Sequence, residues 1–159
     1  MAIMNRRIPI ATALSLLTMA CGGALAVAST SSESAHTARS LSVTDEGTVH
    51  FLKSSGSSIT DEGPAKGTIP GKVRIRFTYD GNPTVNAQIT IVGHAGSVYA
   101  HGIGHLSSPT SPSPSFKGTL AITGGSRRYA NAHGSGQMFG VFYRRSYAMT
   151  VQTKGTLRY

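Results

Sequence analysis

Apolar and polar positions alternate with a period of two over most of the second half of the chain. Val73, Ile75, Phe77 and Tyr79 are apolar between Lys72, Arg74, Arg76 and Thr78, and Val85, Ala87, Ile89 and Ile91 repeat the pattern against Asn86, Gln88 and Thr90. A period of two puts the first set on one face of a strand, whereas a helix would need a period near 3.6. The turn cluster Asp80-Gly81-Asn82-Pro83 between the two runs predicts a hairpin. Further turn signals separate strand-like stretches at 97–105, 116–124, 132–143 and 147–159, and a Pro/Ser-rich loop follows Ser107. Strands over 48–53 and near 66–69 bring the number to about eight. No stretch carries an amphipathic helical pattern, so there are no crossover helices and a parallel sheet is excluded. The reading is all-β: an antiparallel up-and-down barrel of about eight strands, with a sandwich as the alternative and the barrel favoured because it leaves no open edge.

The beginning of the chain reads differently. Arg6 and Arg7 precede a mostly apolar stretch from Ile8 to Ala20, and small residues at Ala24, Ala26 and Ala28 follow at the spacing a signal peptidase accepts. Residues 1–28 are therefore read as a signal peptide cleaved within 26–28, residues 29–46 as a flexible Ser/Thr-rich leader, and 47–159 as the barrel. The apolar run is too short and too interrupted to span a bilayer, so no transmembrane segment is expected in the mature chain. The expected location is extracellular. Cys21 follows a stretch that loosely resembles a lipoprotein box, which makes a lipid anchor the minor alternative. As the only cysteine, it excludes an internal disulfide framework.

Charge changes the picture in one respect. The 159 residues carry 15 Lys plus Arg against 6 Asp plus Glu. Every acid lies at or before Asp80, and beyond it come Lys117, Arg127, Arg128, Arg144, Arg145, Lys154 and Arg158. The doublets Arg127-Arg128 and Arg144-Arg145, flanked by Tyr129, Tyr143 and Tyr147, suggest a basic surface, for which anionic cell-envelope polymers are a more accessible partner than nucleic acid. Acid–base chemistry is confined to the acidic half. Its candidates are Glu46, Asp61 and Glu62, expected beside turns, where such groups are commonly solvated. His101 and His105 would share a strand face, yet four residues separate them by ~13 Å, too far for one metal ion. No metal site and no cofactor is predicted, and no nucleophile elbow, zinc-protease motif or phosphate loop is present.

The stretch from Gly118 to Gly136 carries one longer motif. Leu120-Ala121-Ile122-Thr123-Gly124-Gly125, then Tyr129, then Ala132-His133-Gly134, resembles the turn signature of the allene oxide cyclase and dirigent barrel families, with Arg127 standing where those families usually place a third glycine. The paired glycines permit a sharp reversal, Tyr129 can cover the barrel end, and Gly134 lets the next strand start close by. The resemblance implies a barrel whose interior accepts an apolar, flexible small molecule and guides its cyclisation or coupling, using pocket-lining carboxylates and aromatics. Phe51, Phe77, Tyr79, Tyr99 and Tyr147 are the pocket candidates. The competing expectation is a non-enzymatic exported module whose basic face adheres to anionic polymers. The two differ in the barrel interior, because an enzyme needs an acid or a histidine facing inward and a filled apolar core needs none.

Overall fold

A computed structural model describes residues 38–159 apart from 79 and 80. The signal-peptide segment, Cys21, the first half of the expected leader and Tyr79 lie outside the described residues.

Eight strands form a closed barrel in chain order: β1 (Ser40–Ser55), β2 (Ser58–Gly67), β3 (Gly71–Thr78), β4 (Thr84–Gly93), β5 (Gly96–Ser107), β6 (Ser115–Gly125), β7 (His133–Tyr143) and β8 (Ala148–Arg158). Every neighbouring pair is antiparallel, and β8 returns to β1 in an unbroken register from Ser40↔Arg158 to His50↔Ala148. That closure removes the open edges a sandwich would leave. Apart from the strands, the one regular element among the described residues is a short 3-10 turn, Arg127–Tyr129.

Two boundaries differ from the sequence reading. The barrel begins at Ser40, so residues 40–46 belong to β1 and not to the leader. Their apolar alternation is thin, Leu41 and Val43 followed by an inward Asp45, and the strand exists there because β8 supplies a partner for each residue. Asp61 and Glu62 lie within β2 and not in a loop, and the expected short strand near 66–69 is the end of β2 and its turn. Asp, Gly and Pro disfavour strands, but β2 is flanked on both sides, by β1 and β3. Pro64 is accommodated where the β1–β2 ladder skips from Gly47↔Ala65 to His50↔Glu62.

The core gathers at the end of the barrel that carries both ends of the described chain. Val43, Val49, Ile69, Val73, Val98 and Leu157 are buried there, and Tyr129 and Ala132 of the β6–β7 connection close the end. Tyr129 packs edge-on against Tyr159 with ring centroids 5.1 Å apart, and Arg128 lies 5.2 Å over the Tyr159 ring. Arg127 adopts φ 53°, in the left-handed region that glycine enters without strain. At the opposite end Gly140 has the Phe116 ring directly above it, in the space a β-carbon would fill.

Candidate functional site

The open end is bounded by the β1–β2, β3–β4, β5–β6 and β7–β8 connections. Because inward positions recur every second residue, each strand contributes its apolar set to one interior. Toward the open end these residues do not fill the space, and a cavity of about 390 Å³ remains. That lies in the ~300–1,000 Å³ range of small-molecule sites. Phe51, Ile59, Ile75, Phe77, Val85, Ala87, Ile89, Leu106, Phe116, Met138, Phe142 and Met149 line it, with Pro114, Ser54, Arg144 and Tyr147 toward the mouth.

One carboxylate enters this apolar space. Asp61 is in phase with Ile59, Gly63 and Ala65 on the inner face of β2, between Phe51 of β1 and Ile75 of β3. It is 2% exposed, and its Oδ2 has no hydrogen-bond partner. Burial pushes its pKa from the ordinary 3.8 up to about 6, with the nearby His50 pulling weakly in the other direction. A carboxyl group poised near neutrality inside an apolar cleft is the arrangement expected of a functional acid or base.

The other two candidate acids face away from the cavity. Glu46 is exposed on the outer face of β1, and Glu62 lies outside β2, where Lys72 Nζ at 2.8 Å and Arg74 Nη2 at 2.6 Å bind its carboxylate. Those hydrogen bonds lower the Glu62 pKa. Neither can meet a ligand in the barrel.

Among the aromatic candidates, Phe51, Phe77 and Tyr147 line the cavity. Tyr99 does not: it sits on the outer face of β5, 42% exposed, because Val98 and Ala100 on either side take the inward phase. Phe116, Phe142, Met138 and Met149 also line the cavity but were not among the sequence candidates. The signal for them was their phase, since Phe116 alternates with Leu120 and Ile122, and Phe142 with Met138.

The basic doublets do not form one surface. Arg127 and Arg128 lie at the closed end and Arg144 and Arg145 at the open end, separated by the length of β7, roughly 35 Å of extended chain. Arg144 belongs to the mouth. Its Nε donates to the Ser111 carbonyl at 3.1 Å and its Nη2 to the Pro109 carbonyl at 2.5 Å, tying the β5–β6 loop to the β7–β8 turn. The motif glycines lie at the closed end, remote from the cavity: Gly125 sits against the buried Tyr129, Gly134 against the Thr156–Leu157 backbone of β8, and Gly124 beside the Tyr99 ring.

The described histidines face away from the barrel interior. His101 and His105 are exposed, with His105 Nδ1 3.0 Å from Thr84 Oγ1, and His133 Nδ1 is 3.0 Å from the Asn131 carbonyl. Among the described residues no three His, Cys, Asp or Glu side chains come together. No protein-family model, no curated protein and no solved structure matches the chain.

Proposed function

We propose that this barrel is an exported protein that binds a small hydrophobic molecule through its open end and acts on it in the manner of the allene oxide cyclase and dirigent families, as an isomerase or a guide of coupling. The observation that carries this reading is the unpartnered carboxylate of Asp61, buried in an aromatic-lined cavity. An apolar body enters because the walls remove its surface from water, at about 25 cal/mol per Å² buried. The walls also restrict its conformation, which favours one cyclisation or coupling geometry over others. Asp61 supplies the chemistry, either holding a proton near neutrality or stabilising positive charge that develops on the substrate. The basic-module alternative draws less support, because the two arginine doublets stand at opposite ends of the barrel.

The test is saturable binding of a neutral apolar fluorophore, 2-(1-naphthyl)ethanol. One site per chain is expected, lost in Gly104→Leu, whose added side chain starts 3.2 Å from the flexible Met138 Cε and extends into the cavity. A folded wild-type protein that takes up no probe would sink the proposal, and so would binding that Gly104→Leu leaves intact.

A further inference from the structure

No hydrogen bond or ion pair of the protein answers the charge of Asp61, and only the electrostatic pull of His50 reaches it. Charged groups near it are turned away from the cavity: His50 is exposed on the outer side of β1, and Glu62 is held outside β2 by Lys72 and Arg74 of β3. Arg76 of β3 is also exposed. Within the cavity the one cationic wall residue is Arg144 at the mouth, whose guanidinium is held by the loop carbonyls of Pro109 and Ser111. A buried carboxylate in apolar surroundings is strongly unfavourable unless a counter-charge and a hydrogen bond reach it. Within this site, only a ligand can bring both.

The walls narrow the chemistry further. Phe51 is the cross-strand partner of Asp61 on β1, and Phe77 is paired with Ile59, one inward position nearer the mouth. Aromatic rings beside a carboxylate attract a cation through their quadrupoles while covering the carbon frame that carries it. A neutral hydroxyl would supply one hydrogen bond and leave the net charge buried. A carboxylate ligand would add a second negative charge beside the first.

We propose that the cavity selects lipophilic amines, seating a single protonated nitrogen on Asp61 and the apolar body between the aromatic walls. This rests on the reading of the cavity as a small-molecule site and assigns the class of molecule to it. Selectivity then depends on the protonation of Asp61. Above about pH 6 the carboxylate is charged and the amine is favoured; as acid neutralises it the advantage fades.

Three matched probes separate this proposal from the one it rests on: 2-(1-naphthyl)ethylamine, 2-(1-naphthyl)ethanol and 1-naphthylacetate, titrated against the full barrel at neutral pH. The amine should bind at least about tenfold more tightly than the alcohol, and the acetate more weakly than either. In Asp61→Asn the ratio of amine to alcohol affinity should collapse toward one, with saturable binding of the alcohol retained. The wild-type protein gives an independent check, since its preference should shrink as pH falls through about 6. Equal affinity for amine and alcohol would overturn the assignment and leave the apolar site standing. A preference that survives both Asp61→Asn and acid would also overturn it. If none of the three binds saturably, both proposals fall.

Discussion

Among the described residues two aspartates point into this barrel, one at each end, and they have much in common. Asp45 is 5% exposed and Asp61 2%; each has an Oδ2 without a partner, and burial raises the pKa of both. The difference lies in what their surroundings ask of them. Asp45 Oδ1 accepts the Ile69 backbone N–H at 2.8 Å, fastening the β2–β3 turn to β1 in the filled end of the barrel. Asp61 faces a void lined by phenylalanines. Burial and a raised pKa therefore do not distinguish a structural acid from a functional one. An uncommitted carboxylate beside empty space does.

The comparison is broken most severely by truncating the filled end. Leu157 is completely buried in the same core cluster as Val43 and Tyr129, and Leu157→Ala should lower stability by about 3 to 4 kcal/mol, because the removed carbons leave a cavity in that core. Phe142→Ala, at the open end, enlarges a space that already exists and should cost clearly less. Urea titrations of both variants check the ranking, and equal losses would mean that the two ends are packed alike.

Asp61→Asn comes next, and its effect has the opposite sign. Between about pH 4 and pH 6 the folded protein binds a proton that the unfolded chain releases, so stability falls as pH rises through that window. Above it the native state carries the full penalty of the buried charge, about 3 kcal/mol for a shift from 3.8 to about 6 at 1.36 kcal/mol per unit. Asp61→Asn should therefore raise the melting temperature at neutral pH, with the gain vanishing near pH 4. A gain independent of pH would place its origin outside this ionisation. A stabilising substitution that weakens ligand binding is the trade-off expected at a site kept for function.

Much of the barrel was legible because its strands obey a period of two wherever one face is apolar. The hairpin from β3 to β4, the Pro/Ser loop after β5 and the closing turn around Tyr129 all follow from that pattern and its interruptions. The readings that failed share a cause. In β1 and β2 an inward Asp replaces an apolar residue, at Asp45 and at Asp61, so the alternation looked broken where it was continuous. The residue that makes the cavity chemically distinctive is thus the one that hid its own strand. Phase counted from Ile59 to Ala65 would have turned Asp61 inward and Glu62 outward. The cavity itself could not be read, because whether eight inward faces meet or leave a gap depends on barrel closure and the size of every opposing side chain. Nor could Tyr99 be excluded without knowing which phase of β5 faces the interior.

Asp45→Ala should act against Asp61→Asn. It strands the Ile69 N–H, a donor at a residue 3% exposed, and a buried unsatisfied donor costs roughly 1 to 3 kcal/mol, offset in part by removal of the desolvated charge. The expected net loss is about 1 kcal/mol at neutral pH, recovered in Asp45→Asn, whose amide oxygen keeps the acceptor. Amide exchange at Ile69, faster in the alanine variant and unchanged in the asparagine one, checks the cause.

The smallest effect probes backbone strain at the two ends. Arg127 at the closed end and Tyr147 at the mouth both hold positive φ, 53° and 51°. A residue with a β-carbon sits there at about 1 to 2 kcal/mol above its preferred region, and glycine does not, although glycine gives back about 0.5 to 1 kcal/mol through the entropy of the unfolded chain. Arg127→Gly and Tyr147→Gly should each stabilise by no more than about 1 kcal/mol. Binding should separate them. Arg127 lies away from the cavity and its loss should leave probe affinity unchanged, whereas Tyr147 lines the mouth, and its removal should speed probe release. If both variants bind alike, strain at Tyr147 serves the turn alone; if Tyr147→Gly binds more weakly while unfolding later, the strained conformation is retained because it aims the ring at the ligand.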